Sequence, residues 1–280
     1  MGLGAGQEVD NVKSPSLEHI RTVFLDLDGV VWYGPKLIPH AAGFVRSLRA
    51  SGRRVCFVTN ITSSTAAMVA ERLSRLGIET GEEDVQTPFT ILPSHPAVTP
   101  SSRILLLGNR RIRQAVLDAG LTLTDDPEEA SLVLVSRDTG LVYDHLAQAA
   151  QALQGGAQLL ALNLDARVPV EGGKLVPGNG AIVAALTTAT GVQAEAIGKP
   201  SKFYFDRALE RFDADRSRTL MAGDNLDSDI RGGLDAGLFT VQVGGDRFSL
   251  LDPPPVPHLR VGNLEELGVL ILDPVTQHRP

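Results

Sequence analysis

Two aspartates, Asp26 and Asp28, stand two positions apart in the run VFLDLDGVVW (residues 23–32), directly after an apolar stretch and directly before Gly29. A folding chain gains more from Val or Ile at such places, so carboxylates there point to chemistry. Two apart, both side chains point to the same side as the strand ends. Gly29 lets the chain turn sharply and leaves its amide close to a ligand. Three more short stretches interrupt apolar runs in the same manner: Thr59-Asn60, Gly198-Lys199-Pro200 and Gly223-Asp224-Asn225. Together they offer a hydroxyl from Thr59, amides around Asn60, a compact positive charge on Lys199 and a third carboxylate on Asp224. Crowded carboxylates repel unless a cation joins them, and Mg²⁺ suits oxygen ligands together with a substrate phosphate. Such groups gathered round one point would receive a phosphoryl group.

The elements that must gather them read as an α/β fold. TVFLDL (22–27) and RVCFVT (54–59) are strand-like. AAGFVRSLRASG (41–52) and STAAMVAERLSRLG (64–77) carry helical spacing and end on glycine. Nearly continuous apolar strands alternating with helices imply a doubly wound, Rossmann-like parallel sheet, which binds ligands outside the carboxyl ends of its strands. The alternation resumes late, with EAIG as a short strand, KFYFDRALERF as a helix, RTLMAG as a strand, DIRGGLDAG as a helix and FTVQV as a strand. A proline-rich connector, DPPPVP, follows, and Asn263 caps a last helix. The stretch between Asn60 and Lys199 is too long for one crossover and has its own α/β rhythm (RILLLG, LVLVS, AQLLALN). We therefore expect a leader over 1–20, a core over 21–87 and 191–280, and an inserted α/β domain over 88–190.

Composition excludes several classes. The chain has 280 residues, 43% of them hydrophobic, and a net charge of −7, which suits a globular protein and argues against a nucleic-acid partner held on a basic face. It also argues against an anionic membrane surface, and no window approaches a membrane span. The first twenty residues lack the apolar run of a secretion signal, so the expected location is cytoplasmic. The single cysteine, Cys56, lies in an apolar run and reads as a buried structural thiol. The six histidines are scattered without H-E-x-x-H, and neither G-x-S-x-G nor G-x-x-x-x-G-K-[ST] occurs. A calcium loop starting at Asn225 fails, with Ile230 and Ala236 where Gly and Glu are needed.

The four stretches, in this order, resemble the motifs of the haloacid dehalogenase-like superfamily: DLDGV, TN, GKP and GDNLDSDI. The DGV-V-W start, GKP, the GDxLxSDI form and the long insertion after the second motif resemble its NagD-like branch of p-nitrophenylphosphatase and phosphoglycolate phosphatase type. One motif alone is a weak signal; four in order are a strong one. The resemblance implies a core with an inserted cap domain, and a Mg²⁺-dependent phosphatase acting through an aspartyl-phosphate. It makes Asp26 the nucleophile and Asp28 the general acid and base. Asp28, Gly29, Thr59, Asn60 and Lys199 would hold the phosphate. Asp26, Asp224 and the Asp28 carbonyl would hold Mg²⁺, with Asn225 and Asp229 supporting them. The family often reads TNN here, whereas Ile61 follows Asn60, with Thr62, Ser63 and Ser64 as candidates to replace the missing polar group.

Within the insertion, residues 160–182 resemble the branch's N-x-D…P…PGxG segment through Asn163, Asp165, Pro169, Pro177, Gly178 and Gly180. Its interior, Arg167, Val168 and Glu171, would face the leaving group, and Arg167 would favour an anionic tail. The plainer readings are a surface arginine and turn glycines. Asp138 and Tyr143 match the branch's D-x-x-x-x-Y form, and Tyr143 reads equally as an ordinary helix start. Small phosphorylated metabolites are the implied substrates: phosphoglycolate, glycerol phosphate, sugar phosphates, nucleotides or pyridoxal phosphate. A homodimer paired through the cap is the implied assembly. Two other functions use the same residues: a phosphotransferase or mutase, and a non-enzymatic signalling module switched by aspartyl phosphorylation. Asp28 speaks against the latter, because a nearby acid/base would hydrolyse the acyl phosphate.

Overall fold

The computed structural model describes residues 17–170, 174–245 and 248–272. Chain order begins with β1 (Thr22–Leu25), a small hairpin of β2 (Trp32–Tyr33) and β3 (Lys36–Leu37), α1 (Ala41–Ala50) and β4 (Arg54–Val58). It continues with α2 (Ala66–Arg75), β5 (Val85–Gln86) and α3 (Pro88–Ile91). The insertion contributes β6 (Arg103–Leu107), α4 (Arg110–Asp118), β7 (Thr122–Leu123), β8 (Leu132–Val135), α5 (Tyr143–Gln154) and β9 (Gln158–Ala161). A hairpin of β10 (Arg167–Val170) and β11 (Lys174–Pro177) follows, then α6 (Asn179–Thr190) and β12 (Glu195–Ala196). The chain returns through α7 (Lys202–Arg211), β13 (Thr219–Gly223), a turn of π-helix at Leu226–Ile230, α8 (Arg231–Asp235), β14 (Phe239–Val243), β15 (Leu259–Val261) and α9 (Leu264–Leu272).

Two parallel sheets result. The first has strand order β15-β14-β13-β1-β4-β5 and the second β12-β9-β8-β6-β7. Central strands β1 and β8 are buried at every residue, as expected where helices cover both faces of a sheet. Phe24, Cys56, Val58 and Met221 of the first sheet share an apolar cluster with Ile104, Leu134 and Leu160 of the second. Cys56 lies inside that cluster, and burial pushes its thiol up to about 12, as suits an inert structural group. Asn263 does cap α9, its side-chain oxygen accepting from the Glu266 amide at 2.9 Å. No described helix is long and apolar enough to cross a membrane.

Three expectations shift. Residues 17–20 are not loose leader: Leu17 and Ile20 are buried in the core of the first sheet, their spacing of three placing both on one side. Residues 1–16 lie outside the described residues. The second sheet reaches past residue 190, because Glu195–Ala196 pairs in parallel with Leu160–Ala161 and not with the first sheet. Lys199 therefore does not follow a strand of the sheet that carries Asp26; it sits on the connection between β12 and α7.

Candidate active site

The site starts where β1 ends. The Asp26 amide continues the ladder by donating to the Ala222 carbonyl at 2.9 Å, which delivers its carboxylate to the carboxyl edge of the sheet. The chain then folds back tightly. Val31 and Trp32 both donate to the Leu27 carbonyl, at 2.8 and 3.0 Å, and Gly29 donates to Trp32 at 2.9 Å. Gly29 takes φ +84°, and a β-carbon there would overlap the Asp224 carboxylate. Glycine is required for that close approach. Its N–H donates to the Trp32 carbonyl, which closes this turn.

Lys199 is the centre of the arrangement. Only 2% exposed, its ammonium donates to Asp26 Oδ1 at 2.5 Å, Asp229 Oδ1 at 2.6 Å and the Val58 carbonyl at 3.1 Å. Carboxylate oxygens of Asp26, Asp224 and Asp229 lie within 4.8 Å of one another. Asp229 uses its second oxygen to accept from the Asn225 amide at 3.2 Å. Asn225 is exposed and caps the turn that carries Asp229, accepting from Asp227 at 2.9 Å and Ser228 at 3.1 Å. Thr59 is buried, and its hydroxyl accepts from the Ile61 amide at 3.2 Å, leaving its proton to donate.

Asn60 also lines the cavity. Its side chain is committed to structure: Oδ1 accepts from the Lys199 amide at 2.8 Å, and Nδ2 donates to the Lys199 carbonyl at 3.0 Å and to Asp165 at 3.2 and 3.3 Å. It ties the loop after β4 to the Lys199 loop and to the insertion. Ile61 packs on the apolar core, Thr62 contacts the insertion through Ser136 and the Arg137 amide, and Thr62, Ser63 and Ser64 all line the cavity.

The insertion covers this floor and encloses a cavity of about 330 Å³, lined among others by Asp165, Arg167, Val168 and Arg137. Asn163 donates to the Asn60 carbonyl at 2.6 Å, and buried Asn179 donates to the Asn163 carbonyl at 2.8 Å. β-Carbons at Gly178 and Gly180 would overlap the carbonyls of Asp165 and Leu164, so these glycines serve close packing. Arg167 stacks on Phe248, its guanidinium 3.7 Å from the ring centroid. Tyr143 is 82% exposed and Asp138 closes a turn with Gly140, and neither lines the cavity. Glu171 lies outside the described residues, as do Gly172 and Gly173.

Known proteins resemble this chain in sequence and in fold. A family model described as haloacid dehalogenase-like hydrolase matches residues 23–122, and a second of the HAD-hydrolase-like type matches 196–267. The 5'-nucleotidase YutF of Bacillus subtilis is 37% identical over 220 residues, covering 78% of this chain and 85% of that protein. The chain belongs to the haloacid dehalogenase-like hydrolases. Among solved structures, a 4-nitrophenylphosphatase from Thermotoga maritima superposes with a TM-score of 0.81 at 28% identity, over 90% of this chain and 97% of that one. A glycerol phosphate phosphatase from Mycobacterium tuberculosis, solved in complex with calcium, gives 0.73 at 34% identity, over 82% and 68%. These place the hydrolase among the p-nitrophenylphosphatase-like phosphatases.

Electrostatics in this phosphatase follow from burying three carboxylates beside one ammonium. Burial pushes Asp26 well above the ordinary carboxylate range; Lys199 pulls it back, and Asp229 and Asp224 push it further up. Asp224 rises to about 7, from burial first and from Asp229 second. Asp165 rises to about 6 through burial. Asp28 faces the cavity, and the surrounding protein mass raises its pKa as well. Burial opposes the charge on Lys199, but Asp229 and Asp26 outweigh it and hold the ammonium charged.

The donor set fits a hard divalent cation. All its atoms are oxygens, and three carboxyl groups share one ammonium, so a bound cation would supply the positive charge that the cluster lacks. Asp229 is the poorest ligand of the three, since both its oxygens are engaged. An aspartate raised by folding binds its proton more tightly folded than unfolded. Asp224 thus supports the metal-free fold at low pH, and that contribution is lost as pH rises from an ordinary 3.8 through about 7. Chelator-treated protein is expected to show a falling thermal midpoint from pH 5 to pH 8, recovered on adding a divalent cation. A midpoint that rises over that range without metal contradicts the geometry.

Sequence reasoning missed several groups that the fold brings in. Arg72 and Arg137 line the cavity. Buried Tyr204 shares its hydroxyl between the carbonyls of Thr59 at 3.0 Å and Gln86 at 2.8 Å, bracing the Thr59 loop. No motif marks them. Trp32 lay inside the quoted DGV-V-W run, and its proximity to Asp28 was the available signal.

Proposed function

We propose that this chain is a Mg²⁺-dependent phosphatase that hydrolyses small cytoplasmic phosphomonoesters through an aspartyl-phosphate on Asp26. The observation that carries the reading is Lys199 clamped between Asp26 and Asp229 beside Asp224, on the floor of a 330 Å³ cavity sized for a small metabolite. Residues 17–87 and 199–272 form the catalytic core, and 88–198 the cap. The proposed assembly is a homodimer through the cap, whose exposed Leu117, Val142 and Tyr143 offer apolar surface.

Lys199 holds Asp26 through Oδ1, which leaves Oδ2 to attack phosphorus. As the P–O bond breaks, its electron pair passes to the leaving oxygen, which takes a proton from Asp28. Asp28 then removes a proton from the water that attacks the phosphorus of the acyl phosphate, releasing inorganic phosphate and regenerating Asp26. The transition state spreads charge over the phosphoryl oxygens, where the Thr59 hydroxyl and Lys199 lend donors and charge. Asp26, Asp224 and the Asp28 carbonyl would hold Mg²⁺, which would supply the positive charge that lets a carboxylate approach a phosphate dianion. The calcium in the glycerol phosphate phosphatase supports a hard cation in this fold. Substrate choice falls to the cap residues Asn163, Asp165, Arg167 and Val168, with Asn163 and Asp165 acting chiefly through their bonds to the Asn60 loop.

Phosphate release from p-nitrophenyl phosphate, with Mg²⁺ and after chelation, tests the reading. Turnover is expected with Mg²⁺ and near-complete loss without it. Metal-independent turnover, or none at all, rejects it. Release of free phosphate in preference to a new ester separates hydrolysis from phosphoryl transfer.

A further inference from the structure

We infer that Trp32 is a positioning residue for the general acid Asp28, holding one carboxyl oxygen so that the other meets the leaving group; this rests on the acid/base role assigned to Asp28 above. The indole Nε1–H donates to Asp28 Oδ1 at 2.8 Å. Among the described residues no other side chain donates a hydrogen bond to Asp28. The carboxyl faces the cavity on a two-torsion side chain, so without this bond both of its oxygens exchange freely.

Trp32 is itself immobilised. It is wholly buried, despite its size. Its amide donates to Leu27 at 3.0 Å and its carbonyl accepts from Gly29 at 2.9 Å, so the loop that carries Asp28 also fixes the ring. Arg72 lies over the indole face, its guanidinium carbon 3.9 Å from the centroid, and is anchored in turn on the Gly34 carbonyl. A buried indole N–H needs an acceptor, and the acceptor here is the carboxyl that lines the cavity.

The consequence is chemical. Neutral Asp28 carries one proton. With Oδ1 accepting from the indole, the proton sits on Oδ2, and Oδ2 passes it to the ester oxygen as the P–O bond breaks. The resulting carboxylate keeps Oδ1 bonded and presents Oδ2 to the water of the second step. General acid catalysis is worth ~10²–10⁴-fold, and only where the leaving group needs a proton. An alkoxide needs it; a p-nitrophenolate leaves without it.

Trp32→Phe keeps an aromatic ring and removes the donor. Wild type and variant are compared on glycerol 3-phosphate and on p-nitrophenyl phosphate. The expected result is a fall of about tenfold or more in kcat/KM for glycerol 3-phosphate, with kcat/KM for p-nitrophenyl phosphate within about twofold of wild type, because kcat/KM covers transfer to Asp26 and leaves out the water step common to both substrates. Equal losses on both substrates, or no loss on either, overturn the inference. Trp32 is the one tryptophan of the chain, so biosynthetic replacement by 3-benzothienylalanine, an isostere without the N–H, provides the second variant. If Trp32→Phe does not fold, the same selective loss in the isostere-substituted protein supports the inference and its absence overturns it. Wild-type protein inactive on both substrates would instead reject the phosphatase reading itself.

Discussion

Asp26→Asn is expected to lower phosphate release by at least ~10⁴-fold while leaving the protein folded, on the scale seen when a catalytic nucleophile is removed. An amide is nearly isosteric with the carboxylate but does not attack phosphorus. The fold survives because Lys199 keeps Asp229 at 2.6 Å and the Val58 carbonyl at 3.1 Å. The substitution also removes a buried carboxylate whose pKa lies well above the ordinary range, so metal-free Asp26→Asn should be no less stable than wild type above neutral pH. Rapid acid quench of wild type with radiolabelled substrate should trap phosphate on the protein, and the variant should trap none. Activity within tenfold of wild type would move the nucleophile elsewhere.

Lys199→Met is expected to damage both stability and catalysis. Its ammonium is the only positive charge bonded to Asp26 and Asp229 among the described residues. Removing it leaves two buried carboxylates facing each other and Asp224. Breaking one side of a buried ion pair costs about 3–5 kcal/mol, and losing a preorganised charge at a reacting phosphoryl group costs ~10²–10³ in kcat. Denaturant titration and phosphate release measure the two effects separately. Because burial raises the pKa of Asp26, that carboxyl takes up a proton as pH falls, and the stability deficit should shrink with it. A variant as stable as wild type at pH 8 would mean that Asp229 and Asp26 do not share this cation.

The sequence by itself determined the chemistry to look for. Asp26, Asp28 and Asp224 are carboxylates where apolar residues would be expected, and that cost is visible in a one-dimensional string. The alternation of apolar strands with amphipathic helices likewise fixed the α/β class, because periodicity is local. Gly29 was legible as a necessary glycine, but its reason was not. Only the folded chain shows that the space belongs to Asp224 and that the amide belongs to Trp32.

Tertiary structure decided everything that joins residues distant in the chain. Lys199 meets Asp26 across 173 positions, and Asn60 meets Asp165 across 105. No spacing rule encodes such distances. The sequence assigned Asn60 to phosphate; only the fold shows that its side chain also bonds Lys199 and Asp165. EAIG looked like a strand of the first sheet and became the edge of the second, because a strand's propensity says what it is and not which neighbour it pairs with. Tyr204, Arg72 and Arg137 sit on helices and loops where each type is ordinary. Their relation to the site exists only once packing closes the cavity around it.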